Sequence, residues 1–552
     1  MQEQSGKVVL DVPLATLAAS LATPILDITP FATPEQFRLI DCNQFLNNRH
    51  LTVLEFPTLP APNTTPYAAV TYIWRGNPVD KTTTSTRISI AGALDGDPIG
   101  IDVLRHACTA ALLHKASYLW LDRLCIMQTS KADKNWQIQH MFLIYQCCAV
   151  SLVFPGGIQR LVRIDEPTSW IHRAWTLQEA LAPPKVEVIY AWPHGAGMYV
   201  GLYRGNLKEL VQGESAITPL RELLGLNNFP AVTFISSFGG GPTLTFRASI
   251  LGAPTDSASE ATTPPERRTE VVIFMLKNAM RDYEESFDAR APAIWRSALF
   301  RASSRPVDMV FSIMGLFGVT LDPRAFEPED RLGATAALMR AILERPGGKA
   351  SWLGMAPYIP PHPSLSTFPA FPRTNVDGTV EIELEAGEGR QLTMLDTRGF
   401  AMPGGSVDDG GYLCVVREAI RVFPSQGVCI DRDHQAHLEG LVVDPPKCCL
   451  NITAVNGTAW RFYEEWNGLE DGRGSTFAVL VGWHHQISLT GLWEGNRFLS
   501  AMLVREHKAG CFHVESYFEL HHQLERWAKG WEKLSLRIGG QGGIDGNPKN
   551  SA

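Results

Sequence analysis

The sequence lacks the short motifs that mark several common enzyme and metal-binding classes. Its 552 residues contain no CxxC spacing, no Walker-type phosphate-binding loop and no GxSxG. These absences argue against a zinc ribbon or thioredoxin-type centre, a P-loop nucleotidase and a hydrolase with a nucleophile elbow. The ten cysteines are too few to form a disulfide framework in a chain of this length, so a reduced, cytoplasmic location is expected.

The chain also lacks an excess of positive charge and long hydrophobic runs. The net charge of -8 and the pI near 6.0 give no electrostatic reason to bind nucleic acid or an anionic membrane. No apolar run is long enough to span a bilayer. The pairs His484-His485 and His521-His522 are adjacent residues, whose side chains diverge, so one metal ion rarely binds both and no metal site is predicted.

Composition divides the chain into several segments, because 552 residues exceed a single compact core. Residues 236–265 are rich in Gly, Ser, Thr and Pro, which indicates a linker. Short strands follow residue 376, with a return to helix predicted over residues 517–534. We predict a leader at 1–35, an α/β domain at 36–200, a connecting region and linker at 201–265, a helical region at 266–372, a β-rich carboxyl-terminal domain at 373–538 and a disordered tail at 539–552.

Within the first domain, apolar runs alternate with segments of helical periodicity. Strands are predicted at residues 67–74, 118–121, 149–154 and 186–192, with helices at 101–115, 134–145 and 172–181. This alternation is typical of a parallel sheet with helices on both faces. Ligands bind such sheets beyond the carboxyl ends of the strands. The residues expected there are Trp74, Arg75, Gly76, Asp122, Arg123 and the turn at 155–157.

The helix at 172–181 places an acid beside an indole. Thr168 or Ser169 can cap its amino end, and the helix stops before Pro183. Helical spacing puts Trp175 and Glu179 on one face, together with His172 and Thr176. Two interpretations stay open: Trp175 is a core residue and Glu179 a solvated charge, or the pair contacts a ligand.

Three blocks of this domain resemble the fungal heterokaryon-incompatibility (HET) domain. They are residues 67–74 (YAAVTYIW), 119–128 (LWLDRLCIMQ) and 173–179 (RAWTLQE). Residues 295–326 also look like the region that follows this domain in many basidiomycete members. HET domains are similar in turn to Toll/interleukin-receptor (TIR) domains, and the third block looks like the plant TIR helix whose glutamate is needed for NAD cleavage.

The resemblance implies a TIR-like fold and a catalytic role for Glu179, with NAD as the substrate and no resident cofactor. Trp74 and Trp175 are available to stack on an aromatic ring, and Arg75 or Arg123 could meet the diphosphate. The alternatives are a solvated loop charge for Arg75 and a carboxylate that caps a turn for Asp122. Cys125 is not expected to be a nucleophile, since no base is evident nearby.

The function expected from the resemblance is fungal self/non-self recognition and programmed cell death, with NAD glycohydrolase activity in the first domain. The partners expected are NAD itself and a second copy of the chain or a recognised protein. One alternative is a non-catalytic assembly module for incompatibility signalling. Another places the activity in the carboxyl-terminal region, where deletion of residues 1–235 would leave it intact. The sequence leaves open the trigger, the partner, the oligomeric state and whether ADP-ribose is released hydrolysed or cyclised.

Overall fold

The computed structural model describes residues 6–20, 22–61, 64–79, 85–201, 204–226, 231–237, 243–252, 265–283, 287–357, 359–374, 380–381, 392–396, 401–425, 450–462, 475–487 and 493–542. The β-strands are β1 Lys7–Pro13, β2 Ile25–Leu26, β3 Phe37–Asp41, β4 His50–Phe56, β5 Tyr67–Tyr72, β6 Arg87–Ile90, β7 Ile99–Gly100, β8 Tyr118–Trp120, β9 Val150–Phe154, β10 Val186–Ala191, β11 Gly197–Val200, β12 Arg204–Val211, β13 Ser215–Pro219, β14 Val232–Ser236, β15 Thr243–Phe246, β16 Arg373–Thr374, β17 Val380–Glu381, β18 Leu392–Asp396, β19 Ser406–Val407, β20 Leu413–Pro424, β21 Leu450–Thr453, β22 Ala459–Phe462, β23 Thr476–Ile487, β24 Trp493–Lys508, β25 Cys511–His521 and β26 Glu532–Ile538. The α-helices are α1 Leu14–Ala18, α2 Cys42–Asn47, α3 Ile101–Leu113, α4 Asp122–Cys125, α5 Lys131–Cys147, α6 Trp175–Leu181, α7 Leu220–Leu226, α8 Pro265–Tyr283, α9 Phe287–Leu299, α10 Asp308–Met314, α11 Arg331–Glu344 and α12 Glu525–Ala528.

The chain folds into two units, Met1–Met280 with Arg301–Glu327 and Arg281–Phe300 with Pro328–Ala552. The first unit is built on a 12-stranded sheet in the order β1-β4-β3-β8-β5-β9-β10-β13-β12-β11-β14-β15. Strands β8, β5, β9 and β10 run parallel to one another, and β3 and β13 pair antiparallel with the two ends of this group. The predicted α/β fold is therefore confirmed as a mixed sheet with a parallel centre.

The order of the parallel strands locates the point where a ligand would bind. Along the chain, β5 comes first, β8 lies on one side of it, and β9 and then β10 lie on the other. In doubly wound sheets with this order, the crossovers leave in opposite directions from the first strand. The gap between the carboxyl ends of β5 and β9 is thus the switch point at which ligands usually bind.

The strands of this centre are buried because their residues are apolar on both faces, as the sequence predicted. Tyr67 is fully buried at the start of β5, and its hydroxyl donates to the Ile144 carbonyl at 2.6 Å. The Tyr145 hydroxyl donates to the Val70 carbonyl at 2.9 Å. These two bonds fix the end of α5 against β5, beside the switch point.

A buried ionic cluster holds the other end of α5. Arg38 on β3 is fully buried and contacts Asp133 at 3.0 Å and Glu55 at 3.1 Å. Asp133 also accepts a hydrogen bond from the Met127 backbone N–H at 2.8 Å. Buried charges are tolerated when each has such partners, so this cluster determines how α5 enters the sheet.

Two segments predicted to lie outside the first domain contribute strands to its sheet. In the predicted leader, β1 pairs antiparallel with β4. In the predicted connecting region, β12 and β13 continue the sheet from β10, and β11, β14 and β15 follow. Their alternation of buried and exposed residues is short and interrupted by glycine, so composition alone resembled a linker.

The second unit contains the β-rich carboxyl-terminal region that the sequence predicted. Its main sheet has nine strands in the order β18-β23-β24-β25-β26-β20-β22-β21, with β19 paired to β20. The helix predicted at 517–534 is wrong. Long antiparallel pairing of β25 with β24 keeps the chain extended to His521, and a 3-10 turn at His522–Leu524 and the short helix α12 follow before β26.

The helical region is confirmed at α8, α9, α10 and α11. The predicted linker lies outside the described residues at 253–264, and so does the predicted tail at 543–552. No helix in the described ranges is both long and apolar enough to cross a membrane.

Candidate functional site

The site is built around α6, which begins later than the sequence predicted. Residues Trp170–His172 form a separate 3-10 turn, and the α-helix starts at Trp175. The predicted cap is wrong, because Thr168 donates to the Ile250 carbonyl and Ser169 makes no capping bond. Between the 3-10 turn and α6, Arg173 is extended and forms a parallel bridge with Ala302.

Glu179 faces the sheet at the end of β5. The Thr71 hydroxyl donates to the Glu179 carboxyl, and the Trp170 indole N–H donates to that hydroxyl at 2.8 Å. Thr71 lies next to Val153 of β9 in the register of the sheet. The acid therefore sits at the switch point and is not directed to bulk water.

The surroundings of Glu179 favour its protonated form. The residue as a whole is half-buried, but its carboxyl end is enclosed by protein, and this loss of hydration raises its pKa to about 8. Hydrogen bonding by Thr71 and Tyr145 and the positive charge of Arg173 act in the opposite direction, while the negative charge of Asp122 adds to the increase. Perturbed acids of this kind are concentrated at functional sites.

Asp122 is the second acid of the site. It begins α4, directly after β8, and its carboxylate accepts a hydrogen bond from the Tyr72 hydroxyl at 2.5 Å. Burial raises the pKa of Asp122, against the effects of Tyr72 and Arg123. Burial and the neighbouring Asp122 both raise the pKa of Tyr72 well above its ordinary value. Tyr72 therefore stays a neutral donor.

The predicted cationic and aromatic residues lie together at the same sheet edge. The Arg123 guanidinium stacks over the Trp74 ring at 4.2 Å and donates to the Trp74 carbonyl at 2.8 Å and to the Asp97 carbonyl. Trp74 donates its indole N–H to Asp95 at 3.2 Å. Arg75 is exposed and donates to the Asp95 carbonyl at 2.8 Å. Arg123 is buried and already donates to two backbone carbonyls, so Arg75 is the better placed of the two arginines to contact a phosphate.

Gly76 allows two strand-end loops to touch. A Cβ atom at Gly76 would lie 2.1 Å from the Gly156 carbonyl oxygen, which is too close for any side chain. The Asn77 N–H donates to that same oxygen at 2.9 Å, and the Gly76 N–H donates to Asp97 at 2.6 Å. The close packing of the two loops therefore requires glycine at position 76, independently of any ligand.

Trp175 is the first residue of α6, one helical turn before Glu179. Its side chain hydrogen-bonds to Asp308 at the start of α10. Burial raises the pKa of Asp308, and Trp175 is the first of the groups that oppose this increase. Arg173 interacts with both Asp308 and Glu179, and its own pKa is lowered by burial. Trp175 therefore links the start of α6 to the start of α10.

Sequence reasoning missed several side chains of this site. Thr71, Arg301 and Asp308 lie within segments whose resemblance was recognised, but nothing local indicated that they meet α6. Tyr145 gave no signal, because a tyrosine near the end of an amphipathic helix is usually a core residue. Cys125 is fully buried, and burial raises the pKa of its thiol to about 12, which suits a structural role.

Comparison with known proteins identifies one part of the chain. Residues 67–160 match the family model for heterokaryon incompatibility protein (HET). This match supports the HET resemblance and associates this part of the chain with heterokaryon incompatibility. It covers Thr71, Asp122 and Tyr145 and stops before Glu179. No curated protein and no solved structure matches the chain.

Proposed function

We propose that this chain acts in fungal self/non-self recognition and programmed cell death by cleaving the nicotinamide–ribose bond of NAD. The HET match at residues 67–160 supports the biological role. The TIR-like resemblance of residues 173–179 supports the activity. The observation that carries the proposal is the enclosed Glu179 carboxyl at the switch point of the parallel strands.

The chemistry requires one well-placed acid. Cleavage passes through an oxocarbenium-like transition state, and the cationic pyridinium leaves without prior protonation. A carboxylate can hydrogen-bond the ribose hydroxyls and stabilise the developing positive charge. Glu179 would supply this group, and exposed Arg75 would contact the diphosphate.

The charge state of Glu179 suits a cationic substrate. A carboxyl with a pKa of about 8 is largely protonated at neutral pH while the site is empty. The pyridinium ring of NAD brings a positive charge, which favours the ionised form of a nearby acid. NAD would therefore generate the carboxylate that the reaction uses, and the rate should rise with pH towards 8.

A second candidate is an assembly module without chemistry, and the sheet edge favours it in one respect. The polar groups of Trp74 and Arg123 are bonded within the protein, and the loops at Gly76 and Gly156 are in contact. A domain of this kind would associate with partners through its surface and leave NAD unchanged.

The test is incubation of the purified full chain with NAD, with nicotinamide release followed over a range of protein concentrations. Glu179→Gln should abolish release while the protein stays folded, and Glu327→Gln, at an exposed acid, should not. The concentration series matters because TIR-type enzymes often form sites between subunits. Unchanged NAD consumption by Glu179→Gln would refute the assignment. Oligomerisation without any NAD loss would favour the assembly module.

A further inference from the structure

The segment at residues 301–308 is joined by its main chain to the residues before α6. The Ala302 N–H donates to the His172 carbonyl at 2.7 Å, and the Ala174 N–H donates to the Ala302 carbonyl at 2.8 Å. This pairing forms the parallel bridge between residues 173 and 302. A segment far along the chain, outside the matched residues 67–160, thus fixes the start of the helix that carries Glu179.

Arg301 extends this contact into the protein interior. Its side chain is fully buried, and Nη1 donates to the Thr176 hydroxyl at 2.7 Å and to the Arg173 carbonyl at 3.1 Å. Among the residues that the structure describes, Nε and Nη2 have no hydrogen-bond acceptor. A buried guanidinium with free N–H groups is unfavourable unless a negative charge lies near it.

Glu179 is the nearby acid that supplies this negative charge when it ionises. It lies one helical turn after Thr176, on the same side of α6. Burial lowers the pKa of Arg301 to about 9, and Glu179 is the charged group that opposes this decrease. Arg173 interacts electrostatically with two acids, Asp308 and Glu179. The titratable groups that interact with the Glu179 carboxyl are Tyr72, Asp122, Tyr145, Arg173 and Arg301.

We propose that Arg301 is a positioning residue for Glu179: it fixes the first turn of α6 and stabilises the carboxylate form of the acid. This inference rests on the proposed function for its effect on catalysis, but the contact itself does not. It also places residues 301–308 within the functional site, although they follow the matched domain by well over a hundred residues in the sequence.

The catalytic test compares Arg301→Gln, Arg301→Lys and the control Arg204→Gln, at an exposed arginine on β12. Removing the charge should raise the pKa of Glu179 in the free enzyme, so the pH at half-maximal kcat/KM should rise by about one unit in Arg301→Gln. At pH 7 this lowers kcat/KM about tenfold. Arg301→Lys should show a smaller shift, because a buried lysine keeps a charge but loses its proton more readily than arginine. A parent-like pH profile in Arg301→Gln would overturn the proposal.

A second readout needs no NAD. The difference in unfolding free energy between a protein with Glu179 and its Glu179→Gln counterpart should increase with pH and level off near the pKa of Glu179. In the Arg301→Gln background the levelling point should move to higher pH. If it moves while no variant cleaves NAD, the proposed function fails and the positioning role stands. If Arg301→Gln does not fold, Arg301→Lys is compared instead, and an unchanged levelling point in the folded variant rejects the role.

Discussion

The raised pKa of Glu179 has a measurable consequence for stability. In the folded protein the pKa is about 8, against an ordinary value of 4.5. Between these values the folded state holds a proton that the unfolded state has lost, so the free energy of unfolding falls as pH rises from about 4.5 to about 8. Well below pH 4.5 the ionisation of Glu179 does not lower the free energy of unfolding. Above about pH 8 the loss of unfolding free energy is constant.

Glu179→Gln removes this dependence, because glutamine has nearly the shape of the protonated acid and cannot ionise. Each pH unit in the window is worth about 1.4 kcal/mol, so the variant should gain about 3 kcal/mol over the parent between pH 5 and pH 7. At pH 5 the two proteins should differ by less than about 1 kcal/mol.

Urea unfolding followed by tryptophan fluorescence at several pH values measures this difference. Trp170 reports on the site because it hydrogen-bonds Thr71, which in turn hydrogen-bonds Glu179. Groups that titrate in both proteins cancel in the comparison, and Glu327→Gln is the matched exposed control. A difference that stays constant from pH 5 to pH 8 would show that the carboxyl ionises as in water, and the reasoning about its enclosure would be refuted.

Two further predictions concern the structure around the site. Asp133→Asn removes the charge that faces buried Arg38, so the free energy of unfolding should fall by about 3 kcal/mol, and an effect below 1 kcal/mol in urea unfolding would contradict this. Gly76→Ala places a methyl group where the Gly156 carbonyl lies, so the free energy of unfolding should fall by about 1–3 kcal/mol. Thermal unfolding within a degree of the parent would show that the two loops separate freely.

Much of the parallel centre of the fold could be predicted from sequence, because local patterns determine it. The run at 67–74 is apolar on both faces, and the structure makes it β5, the middle of the parallel strands. The helical periodicity at 101–115 likewise becomes α3. In each case burial of one continuous apolar surface leaves a single favourable conformation.

The start of α6 could not be predicted, because contacts distant in sequence determine it. Helical spacing placed His172 on one stripe with Trp175 and Glu179, but His172 lies in a separate 3-10 turn, and Arg173, which pairs with Ala302, is extended before α6 begins. At the first residue of α6, Trp175 hydrogen-bonds Asp308. No local sequence pattern indicates these contacts, because Ala302 and Asp308 both lie well over a hundred residues after the start of α6.

The separation in sequence between Glu179 and Arg301 also has a consequence during protein synthesis. Ribosomes add about 5–20 residues per second, so on the order of ten seconds separate the appearance of Glu179 from that of Arg301. Until then the nascent chain carries the acid and the strands around it, but not the segment that orders the helix. An activity that depends on Glu179 would therefore remain unassembled until Arg301 has been translated.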